Sequence, residues 1–138
     1  MKRERNIVIE DINYSEALRY LGMGDRAPDE TTKELLLLCG EQLRKVIEPK
    51  FIYKVFELEK GQIPGCAFRL QGQAIARHLE NCEKVVFMCA TLSANVDLLL
   101  RKKQITGMAE AMITDSLASA IVEQVCDKIG RASCRERV

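Results

Sequence analysis

The spacing of apolar residues along this chain changes period several times, and each change marks an element. The sharpest changes fall between Lys84 and Asp127. Val85, Val86, Phe87 and Met88 form a short continuous apolar run, which predicts a strand covered on both faces. Thr91 and Ser93 follow it as side-chain acceptors, placed where a helix needs its first N–H groups satisfied. Arg101, Lys102 and Lys103 then stand where cations complement that helix's carboxyl end. From Ile105 onward apolar or small residues recur at 105, 108, 109, 112, 113, 116, 117, 120, 121 and 125, which is helical spacing. Ala109, Ser116 and Ala120 on that stripe predict a helix whose backbone a neighbour can approach closely.

The earlier part of the chain reads in the same way. Residues 7–9 predict a short strand, with a turn at Asp11 and Asn13 behind it. Ser15 is placed to cap a short helix over 16–21, which Gly22 and Gly24 stop. Pro28 and Asp29 open a longer helix over 30–47, where Thr31 and Glu34 have capping-box spacing and Pro49 ends the run. Leu35, Leu36, Cys39, Leu43, Val46 and Ile47 give it a broad apolar face. Gly40 inside it costs about 1 kcal/mol against alanine and fits a site where a neighbour packs close. Residues 51–58 alternate as a strand covered on both sides, and Gly61, Pro64 and Gly65 turn the chain into a further strand at 68–70. A helix follows from Gln71 or Gly72 through Leu79, with Ile75, Ala76 and Leu79 inward. The order β-α-α-β-β-α-β-α-α predicts an α+β fold, a mixed or antiparallel sheet with helices packed on it.

Composition narrows the possible roles. At 138 residues, with neither repeat nor linker, the chain is read as one domain with a core of its own. A net charge of +1, its basic residues scattered among acidic ones, makes no electrostatic case for nucleic acid. The apolar runs are too short for a membrane span, and MKRERNIVIEDIN lacks the apolar centre of a signal peptide, so the expected location is the cytoplasm. Six cysteines (39, 66, 82, 89, 126 and 134) form no C-x-x-C pair. In a reducing compartment they are read as buried small hydrophobes, not disulfides or metal ligands.

Candidate chemistry is sparse. His78 is the single histidine, and a Cys82 or Cys89 nucleophile paired with it lacks a third, orienting group. One histidine and unclustered cysteines lack zinc-ligand spacing, and no phosphate-loop glycine pattern occurs. Asp115, Ser119 and Glu123 lie four residues apart along one helix. They are either a solvated edge or a polar strip bordering a ligand cleft, able to meet an amine or hydroxyls. Met88, Met108 and Met112 are read as core packing in preference to a soft surface beside a ligand.

A larger pattern runs through these residues. Ala90-Thr91-Leu92, Val96-Asp97, Arg101, Gln104, Met108-Ala109, Asp115, Ala118, Glu123 and Cys126-Asp127 occur in that order. Upstream stand Glu16-Ala17-Leu18-Arg19-Tyr20-Leu21-Gly22, Phe68-x-Leu70-x-Gly72 and Ile75-Ala76-x-His78-Leu79. Together they resemble the activation domain of cobalamin-dependent methionine synthase, in its stand-alone subunit form, over nearly the whole chain to about Lys128. The resemblance implies an activation-domain fold over 1–128 and a site for S-adenosylmethionine with Asp115, Ser119 and Glu123 in contact. It implies presentation of that ligand's methyl group to cobalamin carried by a partner methionine synthase. A flavodoxin- or ferredoxin-type reductant would first supply one electron to cob(II)alamin. Cobalt is the nucleophile there, so the domain needs to position an electrophile and carries no general base.

Two differences from the family shape the expectation. Its Arg-x-x-x-Gly-Tyr segment, which grips S-adenosylmethionine after the long helix, has no counterpart, and Arg69-Leu70-Gln71-Gly72 does not reproduce it. Ser119 aligns with a carboxylate of the fused form. The chain is therefore expected to keep much of the fold and to bind S-adenosylmethionine weakly or not at all. Residues 129–138, IGRASCRERV, resemble a translated sequencing adaptor and are read as a non-native tail. The alternative function is a non-catalytic interaction module whose helix over 105–127 packs on a partner protein.

Overall fold

In chain order the elements are β1 (Lys2–Glu4), α1 (Tyr14–Tyr20), α2 (Glu30–Val46), β2 (Lys50–Glu57), α3 (Gln73–His78), β3 (Lys84–Thr91), α4 (Ala94–Thr106) and α5 (Met108–Arg135). The computed structural model describes residues 2–4 and 7–135, with side chains from 7 to 133. β2 and β3 pair antiparallel over their full length, Lys50 opposite Thr91 and Glu57 opposite Lys84. The three-residue β1 joins the other side of β2, also antiparallel. The fold is α+β as expected, and its sheet is antiparallel.

Directly opposed residues of an antiparallel pair share a face. Phe51, Tyr53 and Val55 of β2 therefore point the same way as Ala90, Met88 and Val86 of β3. That face meets α5, which also receives α1, α2 and α4. Leu117, Ile121, Val125 and Ile129 of α5 are fully buried there, with Cys39 and Leu43 from α2, Ala17 from α1 and Val96 from α4. The close approach foreseen at Gly40 is real. A Cβ built there would lie 2.7 Å from the Tyr14 hydroxyl, so α1's first residue packs directly on α2's backbone.

Several elements differ from expectation, each for a local reason. Residues 7–9 are not a strand, although Ile9 and Ile12 enter the core. Their stretch of backbone is held by side chains instead of a ladder: Arg44 Nη1 donates to the Glu10 carbonyl at 2.9 Å, Gln124 Nε2 to that of Asp11 at 2.7 Å, and Lys128 Nζ to that of Val8. Nor is 68–70 a strand. The Gln62 side chain donates to the Leu70 carbonyl at 3.0 Å and accepts from its N–H at 2.9 Å, supplying the bonds a neighbouring strand would have made. α1 is capped by Asn13, whose side chain accepts from Glu16 N at 3.1 Å, and not by Ser15. α2 is capped by Asp29, accepting from Thr32 N at 2.8 Å, in place of a Thr31–Glu34 box.

The sheet and the long helix are also less enclosed than their apolar runs suggest. β2 buries Phe51 and Tyr53, but Ile52 and Phe56 on its other face are only half-buried. Phe87, Met88 and Cys89 of β3 are exposed: among the described residues no helix covers the outer face that holds Phe87 and Cys89, and no strand pairs beyond β3 beside Met88. The buried side of α5 includes Ala111, Thr114 and Ala118. Ile105, which belongs to α4, together with Met108, Ala109 and Met112, faces outward. Spacing alone cannot separate an apolar residue facing a neighbour from one a turn beyond the neighbour's reach. α5 continues past Lys128 without a break, and Ile129, the first residue of the expected tail, has no exposed surface.

Two measurements check this packing. Ile129→Ala removes part of a fully buried side chain and should cost about 2–5 kcal/mol, read as a lower urea midpoint. An unchanged midpoint would place the segment after Lys128 outside the cooperative fold. Asp29 accepts bonds from Thr32, which hold its carboxyl below the ordinary value. A lowered folded-state pKa adds stability above the unfolded value, lost as pH falls through the folded one. Asp29→Asn should therefore weaken α2 near neutrality and flatten the acid limb of the melting-temperature profile. Profiles that stay parallel down to the acid end would contradict the cap.

Candidate functional site

Asp115, Ser119 and Glu123 all lie on α5, but they do not open into one cleft. Each residue of a helix turns about 100°, so a step of four overshoots a full turn by about 40° and a step of eight by about 80°. The row winds around the helix accordingly. Asp115 is exposed, Ser119 is half-buried beside the sheet, and Glu123 is exposed on the side toward α1. The arc of about 80° crosses the boundary between two neighbours of α5, so Ser119 and Glu123 line different hollows and Asp115 lines neither.

Ser119 lines a hollow of about 270 Å³ between the end of β3, the start of α4 and the middle of α5. Its polar lining comes from Thr91, Ser93, Asp97 and Ser119, and its apolar lining includes Ala90, Leu100 and Val122. The turn that forms the rim is unusual. Ser93 is the residue before α4 and has φ 95°, a region that disfavours side chains. Its hydroxyl does not cap the helix as expected; it donates to the Val46 carbonyl at 3.5 Å. Thr91 likewise turns its hydroxyl to accept from Ser93 N at 3.1 Å, not from the helix. These two bonds hold the turn against α2 and leave α4's first N–H groups without a side-chain cap.

Glu123 borders a second hollow, of about 500 Å³, between α1 and α5. Asn13, Glu16, Arg19, Tyr20, Gln124 and Asp127 also line it. Arg19 Nε donates to Glu16 Oε1 at 3.0 Å and its guanidinium lies over the Tyr20 ring, 5.1 Å from the centroid. The pairing lowers the Glu16 carboxyl below its ordinary value and raises Arg19. Gln124 closes one end by accepting from Asn13 N at 3.1 Å. A third hollow, of about 400 Å³, lies between the 60–62 turn and α3 and has Cys82 in its wall.

The Cys82 thiol donates to the His78 backbone carbonyl at 3.7 Å, so its neighbour is main chain and not imidazole. Cys89 is exposed on β3's outer face. Among the described residues, no three His, Cys, Asp or Glu side chains come together as a metal site requires. Of the described cysteines only Cys39 is fully buried, contrary to the expectation that most would be; Cys66 and Cys126 are half-buried. Met88, Met108 and Met112, expected in the core, are all exposed. Among the described residues, no helix is long and apolar enough to cross a membrane. No protein-family model matches the chain. No curated protein matches it either.

Reading residues singly missed Thr91, Ser93 and Asp97 as partners of Ser119. Thr91 and Asp97 do stand in the ordered pattern noted above, and that pattern was the available signal. Thiol reactivity provides a direct check on the geometry. Burial, then the Glu123 and Asp127 charges, raise the Cys126 thiol above its ordinary value. Brief alkylation of the native protein at pH 8, read by mass spectrometry, should label Cys82 and Cys89 first, Cys126 slowly and Cys39 only after unfolding. Early labelling of Cys39 would contradict the core described here.

Proposed function

We propose that this chain acts as an accessory, ligand-presenting domain for reductive reactivation of cobalamin-dependent methionine synthase. The observation that carries the reading is convergence. Ala90-Thr91-Leu92, Val96-Asp97 and Ala118, three separate pieces of the family-like pattern, meet Ser119 around one hollow. S-adenosylmethionine, when bound, would supply a methyl group to cob(I)alamin, its sulfur keeping the electron pair of the broken S–C bond and becoming a neutral thioether. The electron that converts cob(II)alamin to cob(I)alamin would come from a flavodoxin- or ferredoxin-type protein. Such a role belongs in the cytoplasm.

The fit to S-adenosylmethionine is partial. Hydroxyls of Thr91, Ser93 and Ser119 can meet ribose oxygens, and the Asp97 carboxylate suits a cationic centre. No lysine or arginine lines this hollow to take the ligand's own carboxylate. Its volume lies just below the roughly 300–1,000 Å³ usual for small-molecule sites. Asp115 and Glu123 lie outside the hollow's lining, so Ser119 is the one expected contact residue that borders it. Weak binding follows, with a dissociation constant on the order of 1 mM. The protein's contribution is to hold and orient, since a positioned electrophile needs no base.

A second reading rests on a different observation. Leu98 and Ile105 of α4 and Met108 and Met112 of α5 are exposed apolar residues, as an interaction module would present to a partner protein. Titration of isotope-labelled protein with S-adenosylmethionine distinguishes the two. The first reading expects amide shifts centred on Thr91, Asp97 and Ser119, weakened severalfold by Asp97→Asn. Absence of shifts at about 10 mM ligand, ten times the expected dissociation constant, would sink it. Shifts confined to the α1–α5 hollow would move the site to Glu123.

A further inference from the structure

Residues 7–13 are tied to the helices by side chains reaching their main chain. Arg44 of α2 and Lys128 of α5 each hold one carbonyl, those of Glu10 and Val8. Gln124 of α5 holds the segment twice, donating to the Asp11 carbonyl at 2.7 Å and accepting from Asn13 N at 3.1 Å. All four bonds lie at the solvent-exposed surface. Local opening is easiest where backbone hydrogen bonds face water and few apolar side chains lie beneath them. Here Ile9 and Ile12 are buried, while Val8, Glu10 and Asp11 are exposed. Ile12 sits over the gap at Gly40, its Cδ1 3.4 Å from where a Cβ would stand. β1 pairs with β2 on one side of the segment and α1 begins at Tyr14 on the other. A short stretch tied at both ends can lift away and return with little loop entropy to repay.

We propose that residues 7–13 form a strap that opens as a unit while the core stays folded, and that Gln124 is its latch. Gln124 bonds the segment with both ends of its amide, as a neighbouring strand would, whereas Arg44 and Lys128 contribute one bond each. The residue it grips, Asn13, also caps α1 by accepting from Glu16 N at 3.1 Å. Glu16 in turn accepts from Arg19. One side chain on α5 thus joins the strap's attachment to the start of α1. Asn13, Glu16, Arg19 and Gln124 all line the hollow between α1 and α5. Opening lifts Ile9 and Ile12 from their seats and releases Asn13 from the wall of that hollow. The hollow and the strap are therefore coupled, since Asn13 and Gln124 belong to both. None of this requires S-adenosylmethionine, whose proposed hollow shares no lining residue with the strap or its latch.

Native-state hydrogen exchange of the full chain, followed by NMR in low urea, tests the strap. The Asn13 amide should exchange through an opening that depends only weakly on urea, because little surface is exposed. The amide of Leu117, at the centre of the core, should need the strongly urea-dependent global opening. Gln124→Ala should speed Asn13 exchange about tenfold, the weight of two ordinary hydrogen bonds. Val96→Ala, in the core on the α4 side, destabilises the strap-closed and strap-open forms alike. It should therefore speed exchange at Leu117 and leave Asn13 unchanged. Should Gln124→Ala fail to fold, Gln124→Glu keeps the acceptor, loses the donor at neutral pH and gives the same comparison. A shared urea dependence for Asn13 and Leu117, or equal acceleration of both by Val96→Ala, would overturn the strap. Asn13 exchange unchanged by either Gln124 variant would overturn the latch.

Discussion

Leu117, Ile121, Val125 and Ile129 form a row of completely buried side chains along α5, each four residues from the last, and the remaining elements are arranged around it. A four-residue step overshoots the helical turn, so the row winds about a third of the way round the helix over its length. No single neighbour can cover a winding row. The sheet, α2 and α4 meet it on some sides, while α1 and the 7–13 segment meet it on others. This is why a chain with only two long strands buries a substantial core. It is also why irregular residues such as Ile9 and Ile12 are as buried as residues inside regular elements.

How much could be read from sequence follows from the same geometry. Elements with strong periodicity, such as α2 and β2, fall close to their expected positions, because local spacing is enough to locate them. Errors concentrate where a side chain competes with a backbone ladder. Gln62 takes the bonds that would have made 68–70 a strand, and Arg44, Gln124 and Lys128 hold the chain at 8–11. A glutamine or lysine in sequence carries no mark of the distant carbonyl it will bind. Exposure was harder still. Met88, Met108 and Met112 look like core residues by composition, but their burial depends on whether another layer is present above them.

The candidate site shows both the reach and the limit of linear patterns. Asp115, Ser119 and Glu123 belong together on a helical wheel drawn with coarse steps, yet an eight-residue separation turns the two carboxylates about 80° apart. Only Ser119 is brought beside Thr91, Ser93 and Asp97. The turn at Ser93 is decisive for that grouping. Its positive φ directs the chain from the sheet edge back over α5, and its hydroxyl is anchored to α2 at Val46, so the rim of the hollow is fixed by residues outside it. A side chain at such φ is costly, on the order of 1 kcal/mol or more, and persists only where surrounding bonds enforce it.

The hollow and the free strand edge are consequences of one arrangement. Every helix that packs on this sheet lies on one face, because α5 collects α1, α2 and α4 around itself and not around the strands. That leaves β3 half-covered: its carboxyl end bends into the Ser93 turn and becomes the wall beside Ser119, while its middle presents Phe87, Met88 and Cys89 to solvent.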